Sequence, residues 1–275
     1  MPEAPATTQE ERHPIVGRIG WLLLAYFLIR IPLVNLLVLG GLTESYDLVQ
    51  KLELAAYVIC AAMMAVASKS FRDFRIDRLS IILFIVFGTV LRIPPPSAVS
   101  TAIDPIYYAF GLIALVLAVV VLRSRQFRGR WALTNWRWLV LGLFLEVVLG
   151  LFLATVASVF SRLSIALQQP QQITTGAFFL TFLFEMGHSA ILEEPAFRGF
   201  LWGYLEQRGW HPASIWQFQA ALFWLAHLRY IDTPFTFWIA VPAGGLLLGW
   251  LSWKSKSISA SLLAHAAYNS LGALF

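Results

Sequence analysis

The sequence predicts an all-α, polytopic transmembrane helical bundle of 8–9 spans, with its functional site inside the membrane between the C-terminal spans. Three observations predict it. Of the 275 residues, 59% are hydrophobic and only 13% charged, whereas a soluble domain carries about 25% charged residues; mean hydropathy is +0.71. Apolar runs long enough for a spanning helix recur along the whole chain. Basic residues collect in alternate loops between those runs, the pattern that orients membrane proteins.

Taken in order, the polar and acidic start "MPEAPATTQEERHP" reads as part of a cytoplasmic tail, residues 1–18, rather than a signal peptide, which needs basic residues before an apolar core. Apolar runs follow at 19–42, 48–68, 79–94, 105–122, 138–160, 174–195, 214–231, 235–253 and 257–275. The shortest, 79–94, decides between eight spans and nine. "RIPPPSAVS" at 92–100 reads as a proline-rich turn and "SRLSIALQQPQQ" at 161–172 as an interfacial helix. No internal repeat is visible, so residues 19–275 read as a single integral membrane domain whose motif-bearing core is 174–275.

Lys69, Arg72, Arg75 and Arg78 fill one loop, five arginines lie between 123 and 137, and Arg208, Lys254 and Lys256 follow later runs. The intervening loops are neutral or acidic. With nine spans the N-terminus falls in the cytoplasm of a cell (inner) membrane and the C-terminus outside. The net charge of +5 resides in these loops, so it signals topology, and the expected partner is the lipid bilayer and not nucleic acid. The lone Cys60 has no internal disulfide partner and reads as a packed thiol.

Ionisable groups inside a bilayer are costly and mark a pathway or a pair. The last third of the chain holds Glu185, His188, Glu193, Glu194, Arg198, His227 and His265, with Asn269 adding an amide; earlier runs hold chiefly Arg30 and Glu146. Glu194 and Arg198 stand four apart with the carboxylate first, the favourable order for an ion pair on one helix face. Phe223 with His227 and His265 with Asn269 repeat that spacing. Pro195 removes a backbone donor and disfavours helix at Glu194, which predicts a kink that frees the carbonyl of Ile191 and re-aims Glu193. Glu193 and His227 lie 17 residues either side of residue 210 in the turn "RGWHP", so antiparallel neighbours hold them at one level, about 25 Å along each helix. His265 lies about 12 Å from the turn before its own span, so only a raised turn makes it level.

A carboxylate beside a histidine suits water activation. A histidine and an amide on one face suit an oxyanion formed on a carbonyl. The constellation reads as peptide-bond hydrolysis without a serine or cysteine nucleophile.

The residues "EEPAFRG" (Glu193, Glu194, Arg198), "FWLAH" (Phe223, His227) and "HAAYN" (His265, Asn269) resemble, in order, the EExxxR, FxxxH and HxxxN motifs of the CPBP family. These are the CAAX proteases and bacteriocin-processing enzymes, also called type II CAAX prenyl endopeptidases or Abi proteins. The resemblance implies an intramembrane glutamic endopeptidase in which Glu193 and His227 activate water, His265 and Asn269 serve the oxyanion, and Glu194 and Arg198 shape the site. It implies no metal and no cofactor. The substrate is a membrane-associated protein or peptide; the family cleaves prenylated C-termini, leader peptides and anchored proteins.

Other readings stand beside these. Glu194–Arg198 is equally a structural ion pair, and His265–Asn269 an interhelical clasp. Glu185 and His188 read as core or access-path residues, and Arg30 and Glu146 as structural or snorkelling groups. Gly244, Gly245 and Gly249 read as close helix contacts. The rival functions are a zinc protease on the same four side chains, and a non-enzymatic transport or immunity protein.

Overall fold

The computed structural model describes residues 9–41, 46–89, 105–124, 135–163 and 175–272. Among these every regular element is helical. The helices are α1 (9–39), α2 (46–69), α3 (Arg78–Thr89), α4 (Pro105–Arg123), α5 (Trp136–Leu163), α6 (175–207), α7 (Pro212–Leu225), α8 (Thr236–Ser255) and α9 (Ser259–Gly272). They follow the nine apolar runs, and four of them are long and apolar enough to cross a membrane: Pro14–Leu39, Gln50–Lys69, Trp136–Ala157 and Thr236–Ser255. The proline-rich turn at 92–100 and most of the interfacial helix expected at 161–172 lie outside the described residues. One apolar core joins residues of α1, α2, α3, α4, α6, α7, α8 and α9. The lipid-facing side is apolar as well: Leu112, Leu115 and Val116 on α4, and Phe144 and Phe152 on α5, are exposed.

Helix α6 departs from expectation. Glu194 and Pro195 both keep right-handed helical angles, and the helix continues twelve residues past Pro195 to Gln207. Around Pro195 the helix widens into π turns, at Met186–Ala190 and at Pro195–Leu201. Such turns are rare and concentrate at functional sites. The carbonyl taken up by neighbours is that of Leu192, which accepts from Tyr26 Oη at 2.8 Å and from Cys60 Sγ at 3.6 Å. Side chains of adjacent helices commonly satisfy backbone groups that a proline frees inside a membrane.

The turn after α6 is a Schellman cap: Gly209 is left-handed (φ +80°), Trp210 N–H donates to Leu205 O at 3.1 Å and Gly209 N–H to Glu206 O at 3.0 Å. His211 then caps α7, its Nδ1 accepting from Ala213 N–H at 3.3 Å ahead of Pro212 at the first helical position. Helix α7 stops at Leu225 and does not run to 231, so His227 lies in the turn that follows, with φ −106° and ψ 18°.

The basic loop after α2 is partly enclosed: Lys69 and Arg72 are exposed, while Arg75 and Asp77 are buried along with Phe71 and Phe74. Arg75 stacks over Trp202 at 4.1 Å, donates to Ser252 O at 2.8 Å, and its own carbonyl accepts from Ile258 N–H at 3.1 Å. Asp77 caps α3 through Ser80 N–H at 2.7 Å and accepts from Ser257 and, at 2.5 Å, from Ser259 Oγ at the start of α9. The loop fits because α6 presents no side chain at Gly203.

A methyl at Gly203 would stand 2.3 Å from Asp73 O and 2.9 Å from Phe74 Cα, both backbone atoms. We expect Gly203→Ala to cost about 1–3 kcal/mol through forced displacement of the loop. Gly111→Ala, where a methyl meets nothing within 4 Å, is the control and is neutral or slightly stabilising. Thermal unfolding of the purified variants in detergent measures both.

Candidate active site

Glu193 and Glu194 are adjacent on α6, so their side chains leave the helix in different directions, and each meets an arginine. Glu194 pairs with Arg198 one turn on, Oε1 to Nη1 at 3.1 Å, with both side chains fully buried. Arg198 also donates from Nη2 to Gly245 O at 3.3 Å and lies over the Phe223 ring at 4.2 Å. The approach needs the glycines of α8: a methyl on Gly245 would stand 3.1 Å from Phe223, and one on Gly249 2.0 Å from Gln219 Nε2. The expected close-packing role of these glycines therefore holds at Gly245 and Gly249.

Glu193 pairs through Oε1 with Arg30 of α1. Its other oxygen, Oε2, is buried and accepts no hydrogen bond from the protein. It faces His227 Nε2 at 3.8 Å and His265 Nε2 at 3.9 Å. Both distances are too long for a direct hydrogen bond and short enough for one solvent molecule to touch each pair. The imidazoles are held from their far sides. His227 Nδ1 lies 2.7 Å from Phe223 O, a carbonyl that only accepts, so Nδ1 carries the proton. His265 Nδ1 lies 2.8 Å from Glu194 Oε1, which ties the second carboxylate to the histidine that faces the first.

The structure thus brings together Glu193, Glu194, Arg198, His227 and His265. Asn269 is engaged with other partners: its Nδ2 donates to Glu185 Oε2 and to Ser189 Oγ, both at 3.0 Å. Ser189 donates in turn to Glu185 Oε2 at 2.7 Å. Glu185, expected only as a core or access-path residue, is therefore the partner of an expected site residue. Arg30 is the second residue whose role the motifs did not reveal. A signal for it existed: with Glu194 matched by Arg198, Glu193 had no counter-charge in its own helix, and Arg30 is the mid-run cation elsewhere. Glu146, expected to have a structural partner, has both oxygens buried without a hydrogen bond. Among the described residues no three His, Cys, Asp or Glu side chains are grouped as ligands for one metal ion.

Removing one partner from a buried ion pair leaves an uncompensated charge. We expect Arg198→Met to destabilise the protein by about 3–5 kcal/mol, and the double variant Glu194→Gln/Arg198→Met to recover part of that loss. Denaturation midpoints in detergent compare the two.

The comparison with protein families agrees with the motifs. Residues 175–271 match the family model described as Type II CAAX prenyl endopeptidase Rce1-like. No curated protein and no solved structure matches the chain. The matched segment begins with α6 and ends within α9, so it contains every residue of the constellation except Arg30. The match covers 175–271 of the 275 residues, and the matching family is of the kind that the three motifs resemble.

Proposed function

We propose that the chain is an intramembrane glutamic endopeptidase that hydrolyses a peptide bond of a membrane-associated protein by water activated between Glu193 and His227. The observation that carries this reading is the free Glu193 Oε2, buried and opposed by two imidazole Nε2 atoms at 3.8 and 3.9 Å. A water seated beside these atoms donates to Oε2 and to one imidazole. As its oxygen attacks the amide carbon, its proton passes to this carboxylate–imidazole pair. The carbonyl oxygen becomes the oxyanion, and the proton is then delivered to the leaving nitrogen as the C–N bond breaks. The products are a new carboxyl terminus and a new amine.

His265 donates to the oxyanion only from a protonated Nε2, since its Nδ1 proton is directed to Glu194. Asn269, one turn along the same face, serves the oxyanion after releasing Glu185 or Ser189. Glu194 and Arg198 hold His265 in place. The expected setting is a single membrane domain over residues 19–275, with the N-terminus in the cytoplasm, acting without a metal or other cofactor. The substrate class that fits the family description is a protein ending in a prenylated CAAX sequence.

The test uses purified protein in lipid nanodiscs and an internally quenched peptide ending in S-farnesyl-cysteine and three further residues, with the unprenylated peptide in parallel. Wild-type protein is expected to cleave the farnesylated peptide. Glu193→Gln and His227→Ala should each lower the rate of the folded protein by about 10²–10⁴-fold; Glu193→Gln also lowers the melting temperature, because it strips buried Arg30 of its counter-charge, whereas His227→Ala changes it little. Cleavage by Glu193→Gln at the wild-type rate would refute the mechanism.

A further inference from the structure

The family match begins at residue 175, yet one charged contact to the site comes from α1, far outside it. Three polar side chains of α1 reach the site region: Tyr26, Arg30 and Asn35. Tyr26 Oη donates to Leu192 O at 2.8 Å, the carbonyl just before Glu193. Arg30 pairs with Glu193 Oε1. Asn35 donates from Nδ2 to Leu225 O at 3.0 Å, and its Oδ1 accepts from Arg229 N–H at 3.1 Å.

The spacing of these residues is four and then five. In a regular α-helix a residue five places on points well away from the first. Here the interval is bridged by the π turn Ile29–Leu33, closed by Val34 N–H donating to Ile29 O, and its bonds join residues five apart. The π turn thus returns Asn35 to the face that carries Tyr26 and Arg30. Asn35 and Arg30 are buried, at 3% and 9% exposure, so these are enclosed contacts and not surface ones.

Each contact acts on a different reacting group. Arg30 takes one oxygen of Glu193 and thereby leaves the other, Oε2, as the oxygen that meets the imidazoles. A guanidinium is a rigid planar donor, so it fixes carboxylate orientation as well as charge. Asn35 binds the backbone two residues before and two residues after His227. That histidine lies beyond the end of α7, where its N–H donates to Trp224 O at 2.9 Å, and Asn35 adds a restraint that comes from another helix. We infer that α1 is the alignment element of the site: Arg30 and Asn35 are positioning residues that set the registry between Glu193 and His227. The inference rests on the water-activation reading of Glu193, and it adds residues that neither the motifs nor the matched domain contains.

The test measures kcat and KM for the farnesylated peptide with Arg30→Gln, Arg30→Lys and Asn35→Leu, each also combined with Glu193→Gln. Misplacing a reacting group by about 1 Å costs on the order of 10²-fold in rate. The expected result is a kcat lowered by about ten- to a hundredfold in all three single variants, with KM within about twofold. Arg30→Lys should keep more activity than Arg30→Gln. In the Glu193→Gln background the residual rate should show no further loss from Arg30→Gln, because the group Arg30 aligns is no longer a base. If Arg30→Gln does not fold, Arg30→Lys, which retains the charge, carries the test. Wild-type kcat in Arg30→Lys and Asn35→Leu, or full multiplication of the Arg30 and Glu193 effects, overturns the inference. Wild-type cleavage by Glu193→Gln alone overturns the water-activation reading itself, and the two failures are thereby distinguished.

Discussion

Two neighbouring carboxylates buried in an apolar bundle are tolerable only if each has its own cation, and this requirement organises the structure. Charges away from water lose several kcal/mol of hydration apiece, which only close counter-charges and hydrogen bonds return. Arg198 answers Glu194 from within the same helix. Arg30 answers Glu193 from the other end of the chain, 163 residues away. The first pair forms locally and needs only helix geometry. The second needs α1 docked against α6, so the charge of Glu193 fastens the N-terminal helix to the C-terminal ones.

The backbone of α6 makes this possible. Two π turns bracket the short α-helical stretch Ile191–Glu194, and each shifts the register of the side chains that follow. Tyr26 and Cys60 grip the Leu192 carbonyl in the interval between them. The carboxylates thus project from a segment whose position is set by hydrogen bonds from two other helices. Further π turns occur in α1 and α8, both of which line the same region. A site assembled from five helices leaves little freedom for each of them, and local widening is how helices with fixed ends adjust the direction of one side chain.

Much of the fold and about half of the site were legible in the sequence, and the boundary has a physical cause. Runs of apolar residues report helices because the period and length of hydrophobicity are local properties. The pair Glu194–Arg198 is legible for the same reason, being one turn apart on a single helix; His265 and Asn269 share that spacing but take different partners. Arg30, Asn35 and Glu185 were not legible, since their partners lie on other helices and no local pattern announces them. Pro195 disfavours helix at Glu194 in the sequence, whereas both residues keep helical angles here, since neighbours in a membrane bundle can satisfy a carbonyl that a proline frees. In the basic loop after α2 the sequence reports charge but not contact: Lys69 and Arg72 are exposed, whereas Arg75 is buried against Trp202.

That loop bears on the depth of the chemistry. Asp77 holds Ser257 and Ser259 at the point where α9 begins, and the carbonyl of Arg75 holds Ile258 between them. His265 stands six residues further along, so its height is about 9 Å above that anchorage. A helix threaded through lipid has no intrinsic vertical coordinate; it can slide until something stops it. Here the stop is a polar latch at the end of the bundle, and it serves as the zero mark from which the imidazole's altitude is measured.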